Sequence, residues 1–370
     1  MIFRQFSGRI LPAVYDSCKK LRFEANRSFR SDAALEAIAN ALEEKVPNLV
    51  LYNYPSFSGA FSALFAHLYH SRLRIPCLIL PFSSVVPFRV EDFCLDGFER
   101  CYLLDFVVPK DFACGKTACE IICFDHRNSA LTRIGSIKEE HKTRLEINVD
   151  TETSSSKAVY EYFSTKLTDQ RSPEEVETLS LLSVEDKARI ELVLDYIEDI
   201  DLRRWRLPDI KSFSFGLKDW RSRLNCITNS YMYEQLLRIS SADLIAYGNS
   251  YFSSRLTDAK KVLKLSKACK ISLGRGLYGD CLGIRADGNN HLSDELGKLL
   301  SLQSSAAGLR PIGAVTFMQR NNLKMCLRST DDITDTSEVA KAYGGGGTSS
   351  SSSFIIRMDE YNQWLSKNPP

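Results

Sequence analysis

From Pro47 to about Asp150 the chain alternates short apolar runs with amphipathic stretches. Asn48 to Tyr54, Cys77 to Phe82, Cys101 to Val107 and Glu120 to Phe124 are apolar runs of strand length. After the first run, Phe57, Phe61, Leu64, Phe65 and Leu68 recur at helical spacing, so a helix with one apolar face follows the first strand. Strand, helix and strand in succession predict an α/β fold with a doubly wound, mainly parallel sheet. Ligands of such sheets sit at the carboxyl ends of the strands. Here those ends are Tyr52 to Ser58, Asp105 to Pro109 and Asp125 to Asn128.

The pattern then changes twice. Residues 151–268 read as mostly helical, with Val184 to Ile200 and Ala242 to Ala268 as the longest elements. From Lys270 onward there are short strands, Gly-rich turns and one amphipathic helix from Ser293 to Gln303, the texture of a smaller α/β domain. The organisation expected is a basic segment over 1–46, a sheet domain over 47–245, a helical linker over 246–269 and a small domain over 270–370. Within the last, Gly344 to Gly347 and Ser349 to Ser353 form a low-complexity tract joined by Thr348. Composition alone makes it a linker. Val339 to Tyr343 before it and the strand-like Phe354-Ile355-Ile356 after it favour instead a place where backbone comes close to a ligand.

Composition narrows the class. Hydrophobic residues at 44% and charged residues at 25% fit a soluble globular chain, and no run of 18 apolar residues predicts a membrane span. Eleven cysteines, odd in number and without a C-x-x-C pair, read as buried thiols in a reducing compartment and give no zinc pattern. A net charge of +2 does not advertise a nucleic-acid partner, so any such binding must be local. Residues 1–31 hold seven Lys/Arg against Asp16 and Glu24. Such a segment suits a basic helix of a cytoplasmic protein or a targeting segment for mitochondrion or plastid.

Four stretches, in order, resemble the DHH phosphoesterases with a DHH-associated C-terminal domain, and the plant-type branch of that family in particular. The first is L-V-L-Y-N-Y-P-S-F-S-G-A-F, residues 49–61, with Asn53 and Ser58 where the family has a metal-binding His and Asp. The second, Y-L-L-D-F-V-V-P, keeps its acid as Asp105, which in the family bridges two metals. The third, I-I-C-F-D-H-R-N, keeps Asp125 and His126 of the D-H-H signature and puts Arg127 in place of the second His. The fourth, Y-I-E-D-I-D-L-R-R-W-R-L-P-D, supplies Asp201 as the last metal-binding acid. Further on, where relatives read G-G-G-H and grip phosphate, this chain has Gly345, Gly346, Gly347 and Thr348. The resemblance implies two-metal phosphoester hydrolysis in relatives, with His126 and Asp125 in catalytic positions.

Two divalent cations about 4 Å apart need several anionic ligands. With Asn53 and Ser58 neutral, the resemblance leaves Asp105, His126 and Asp201, enough for one divalent metal of the manganese type or for none. Arg127 disfavours a cation and suits a phosphate, unless Asp125 ties it into an ion pair. Arg328 and Ser329, before the glycine tract, offer a second phosphate contact beside the glycine and serine amides. The expectation is a pseudoenzyme that binds short single-stranded nucleic acid or nucleotides with weak or no hydrolysis. The alternative is an active metal-dependent phosphodiesterase with a reduced metal site, and a third is a scaffold that keeps only the fold. Other features read as structural. His67 and His70 suit a packed pair better than a metal pair, His141 lies in a charged run, and Trp205, Phe213, Phe215 and Trp220 suit core packing better than base stacking.

Overall fold

The computed structural model describes residues 32–83, 97–107, 119–135, 144–169 and 180–365. The basic segment up to residue 31, Val108-Pro109 and His141 lie outside them. The chain divides into two compact units, Met1–Gly248 and Asn249–Pro370. The division falls inside the stretch read as a helical linker.

The first unit is built on a parallel sheet. Its elements are α1 (Asp32–Glu43), β1 (Asn48–Asn53), α2 (Phe57–Leu73), β2 (Cys77–Phe82), β3 (Arg100–Leu104), β4 (Glu120–Asp125), α3 (Asn128–Ile134), β5 (Leu145–Val149), α4 (Ser155–Asp169), α5 (Val184–Asp201), α6 (Ile210–Gly216) and α7 (Met232–Leu237). The strands run β2-β1-β3-β4-β5, each described pair parallel. Strand side chains alternate between faces, and both faces are buried. Val50, Tyr52, Tyr102, Leu104, Ile122 and Phe124 join one core with Phe61, Phe65, Phe163 and Ile190. Leu49, Leu51, Cys101, Leu103, Ile121 and Cys123 join the other with Ile38, Ala41 and Ala130. That sandwiched arrangement is the doubly wound α/β fold the apolar runs predict.

The turn from β1 into α2 is tight. Ser56 caps α2, its hydroxyl accepting the Gly59 amide, and a Cβ on Gly59 would run into the Asn53 backbone. Gly59 therefore lets the helix start directly over the end of β1.

The second unit has a mixed sheet. It comprises β6 (Cys269–Ser272), β7 (Asp280–Arg285), α9 (Ser293–Ala306), β8 (Ile312–Gln319), β9 (Asn322–Ser329), α10 (Thr336–Ala342), β10 (Gly346–Thr348), β11 (Ser351–Ile356) and α11 (Met358–Trp364), and the helix α8 (Ser241–Leu265) leads into it. Its order is β10-β11-β9-β8-β7-β6, with β7 and β8 parallel and the other pairs antiparallel. Leu296 and Leu300 of α9 cover one face, and Val339, Ala340, Tyr361 and Trp364 of α10 and α11 cover the other. No described helix is long and apolar enough to cross a membrane.

Candidate functional site

Strands β1, β3 and β4 are neighbours, and their carboxyl ends bring Asn53, Asp105 and Asp125-His126-Arg127 together. Asp105 is at the centre. It is fully buried, and its backbone turns out of β3 in the left-handed region at φ 66°. Its Oδ2 accepts hydrogen bonds from Asn53 Nδ2 at 2.9 Å and Ser56 Oγ at 2.6 Å. Its Oδ1 lies 3.3 Å from Nδ1 of His126 and 3.1 Å from Nη2 of Arg127, neither aligned as a hydrogen bond. The same Nδ1 is 2.9 Å from Ser155 Oγ, so the ring nitrogen lies between two oxygens.

Arg127 folds back over this group. Its Nη2 donates to the backbone carbonyl of Asp105 at 2.6 Å, and its Nε is 3.6 Å from Asp125 Oδ1. Asp125 Oδ1 accepts the backbone amides of His126 at 2.8 Å and Arg127 at 3.2 Å. Asp125 thus shapes the bend that presents both residues, acting on the His126 backbone and not on its ring.

Charge and burial oppose one another at each member. Burial would raise the pKa of Asp105, but the contact from His126, the charge of Arg127 and the Ser56 hydroxyl outweigh it and hold the carboxyl below its usual range. Asp125 is pushed up, mainly by burial, although the Arg127 charge opposes this. Burial would lower His126, and Asp105 with Asp201 raises it instead. Asp201, at the end of α5, is pushed up to about 6, first by burial and then by the Asp105 charge, against the pull of His126, the Ser58 hydroxyl and Arg127. Its Oδ2 is buried without a hydrogen-bond partner among the described residues.

Asp105, Asp125 and His126 each offer a ligand atom within 4.8 Å of the others, so this buried group could hold one metal ion. Asp201 is coupled to it by charge but lies outside that set of three. Two ions do not fit the donors present. Asn53 offers Asp105 a donor N–H, and Ser58 is buried in a hydroxyl cluster 3.1 Å from Ser156 Oγ, which is itself 3.1 Å from Ser154 Oγ. Arg127 already supplies a positive charge at the carboxylates.

Ser56 and Ser155 escaped the sequence reading. Ser56 carried a signal, a serine just before an apolar helical run, which marks an N-cap. Ser155 carried none beyond the serine run 154–156. His67 and His70 do not pair for metal. His70 is buried with Nδ1 2.8 Å from the Ala66 carbonyl, and His67 stacks on Tyr233 with ring centroids 4.1 Å apart.

In the second unit, Arg328 pairs with Asp294 at 2.7 Å and donates to the carbonyls of Leu327 and Ser352. Ser329 donates to Asp331 at 3.1 Å. The glycine tract is half of a hairpin. A Cβ on Gly345 would meet the Ser353 carbonyl, and one on Gly347 the Ser351 carbonyl, whereas Gly346 has open space beside it. At the first two positions the close approach is made by the chain's own strand. Thr348 is exposed, its hydroxyl 3.4 Å from the Ser351 carbonyl.

No family model and no curated protein sequence matches the chain. Solved structures similar to it include an uncharacterized protein from Helicobacter pylori, 15% identical over 84% of this chain and 92% of that one, with a TM-score of 0.33. A pGpG-specific phosphodiesterase from Vibrio cholerae is 12% identical over 85% and 95%, with a TM-score of 0.38. RecJ from Thermus thermophilus, in complex with Mn2+, is 13% identical over 91% of this chain and 54% of that one, with a TM-score of 0.31. At these TM-scores the likeness carries neither a family nor an activity over to this chain.

Proposed function

We propose that this protein is a DHH-type phosphoesterase relative in which a guanidinium has replaced a metal ion, so that it binds the phosphates of short single-stranded nucleic acid or nucleotides with weak or no hydrolysis. The observation that carries this reading is Arg127 seated on Asp105 and Asp125, with Nη2 2.6 Å from the Asp105 carbonyl and 3.1 Å from its Oδ1. The side chain is 34% exposed, and on this reading its planar fork is reached by phosphate oxygens from the open side. Hydrolysis needs a water whose pKa has been lowered, and a tethered guanidinium cannot ligate one. Within the second unit, Gly346 and Thr348 are the residues of the glycine tract left open to a ligand contact of that unit's own, while Arg328 and Ser329 are engaged there.

Calorimetry with a 5′-phosphorylated trinucleotide RNA tests this. Binding is expected to persist in chelator and to weaken about tenfold or more in Arg127→Gln. Manganese-dependent release of mononucleotide at a rate of about 1 per second or faster, in the usual range of enzymes, would overturn it.

A second reading, a phosphodiesterase working with one divalent ion, is favoured by the two buried oxygens without hydrogen-bond partners, Asp105 Oδ1 and Asp201 Oδ2. Here Asp105, His126 and Asp201 or Asp125 would hold manganese and Arg127 would swing onto the substrate phosphate. Elemental analysis giving one manganese per chain, with RNA cleavage lost in Asp105→Ala, would favour it.

A further inference from the structure

Two residues after Asp201, the chain makes a bend whose construction the candidate site does not explain. Asp199, buried on α5, organises it. Its carboxylate accepts the amides of Arg206, at 2.9 and 3.1 Å, and of Leu207 at 3.2 Å, and its carbonyl accepts those of Arg204 at 2.9 Å and Trp205 at 3.4 Å. Arg203 and Trp205 are both held at positive φ, 55° and 53°, a region that bulky side chains seldom enter. Arg204 is the structural arginine of the set, reaching Glu198 and the Glu152 carbonyl.

What this bend displays is an indole between two cations. Trp205 is 48% exposed, and its ring stacks on no other ring and under no cation among the described residues. Arg203 and Arg206 are exposed, with no ion pair among the described residues. Phe213, by contrast, is fully buried and stacked on Tyr196, and Trp220 is partly buried under Arg223. Charge is concentrated in the same segment. Residues 203–223 hold seven Lys/Arg against Asp209 and Asp219, in a chain whose net charge is only +2, and Asp219 is bonded to the Tyr247 hydroxyl. A hydrophobic docking face would not need such an excess of cations. A stack of base on indole with phosphates on either side does.

We infer that the loop Arg203–Arg206 is a platform for single-stranded nucleic acid, with Trp205 stacking one base and Arg203 and Arg206 taking the flanking phosphates. The inference rests on the reading of the protein as a nucleic-acid binder and assigns residues to that contact. The backbone bonds to Asp199 hold the indole outward before any ligand arrives, so little freedom remains to be lost on binding.

The test compares U5, dT5 and UMP by calorimetry and fluorescence anisotropy, using the full chain. In Trp205→Ala, affinity for both pentamers is expected to fall by about fivefold or more, with UMP unchanged and Trp205→Tyr close to wild type. The double variant Arg203→Ala/Arg206→Ala should flatten the dependence of log K on log salt by about 1.4. A U5 affinity above that for dT5 would name RNA as the partner, and equal affinities would name either strand. Pentamer binding unchanged in Trp205→Ala, or absent from the wild type, would overturn the inference. Loss in Trp205→Ala without loss in Arg127→Gln would keep the platform and sink the phosphate role of Arg127. The converse pattern would do the opposite.

Discussion

Two places in this molecule carry residues that suit phosphate binding, the strand ends around Asp105 and the hairpin around Gly346, and they differ in how completely their polar groups are used. At the hairpin, Arg328 has Asp294, Ser329 has Asp331, and two of the glycines are required by the chain's own strand. At the strand ends, Asp105 Oδ1 and Asp201 Oδ2 are buried without an aligned hydrogen bond, and three acids crowd around Arg127 and His126. Buried polar groups are ordinarily paired, and those that are not call for an explanation beyond folding. The comparison marks the strand ends as a place where stability has been conceded, and the hairpin as a place where it has been secured.

The largest expected effect is at the centre of the strand-end cluster. Asp105→Ala leaves Arg127 and the raised His126 without their shared anion and should lower unfolding free energy by about 3 to 5 kcal/mol in urea titrations. The matching change at the hairpin side, Asp294→Asn, breaks a half-exposed pair and should cost about 1 kcal/mol or less. Equal losses would break the comparison.

Asp201→Asn should act in the opposite direction. A carboxyl pushed up from 3.8 to about 6 holds its proton more firmly folded than unfolded. Stability then falls as pH rises through that window, and the whole penalty is present above it. The variant is expected to be more stable than wild type at pH 7 by up to about 3 kcal/mol and to lose the advantage near pH 4. A thermal series across pH 4 to 7 reads this directly. Saturating manganese should remove the same penalty in the wild type if Asp201 ligates an ion.

The smallest effects sharpen the hairpin side. Gly347→Ala would meet the Ser351 carbonyl at a φ of 145° and should cost about 1 to 3 kcal/mol, while Gly346→Ala should change stability by less than about 0.5 kcal/mol. If Gly346→Ala nevertheless abolishes nucleotide binding, a ligand fills the space beside it.

Much of this was legible in the sequence, for identifiable reasons. The strands β1, β3 and β4 are buried on both faces, so their apolar runs stand out and their ends locate Asp105 and Asp125 to Arg127 without any knowledge of pairing. Strand β5 was not singled out, because L-E-I-N-V at a sheet edge is half polar and looks like a charged loop. Asp199 was hidden for a different reason. It lies beside Asp201 in an acidic helix end, and only the two positive-φ residues beyond it turn the following amides back onto its carboxylate. An ion pair of Arg127 with Asp125 was one of two readings the sequence left open, and its contact with Asp105 depends on side-chain rotamers that no spacing encodes.

A positive charge that belongs to the polypeptide has one property that a dissolved ion lacks. Its occupancy is set once, at translation, and does not vary with manganese or iron supply, with competing divalent ions, or with chelating metabolites. If Arg127 stands in for a metal as proposed, the cluster around Asp105 keeps the same electrostatic state whatever the metal supply, and ligand binding is expected to be equal under metal starvation and metal excess.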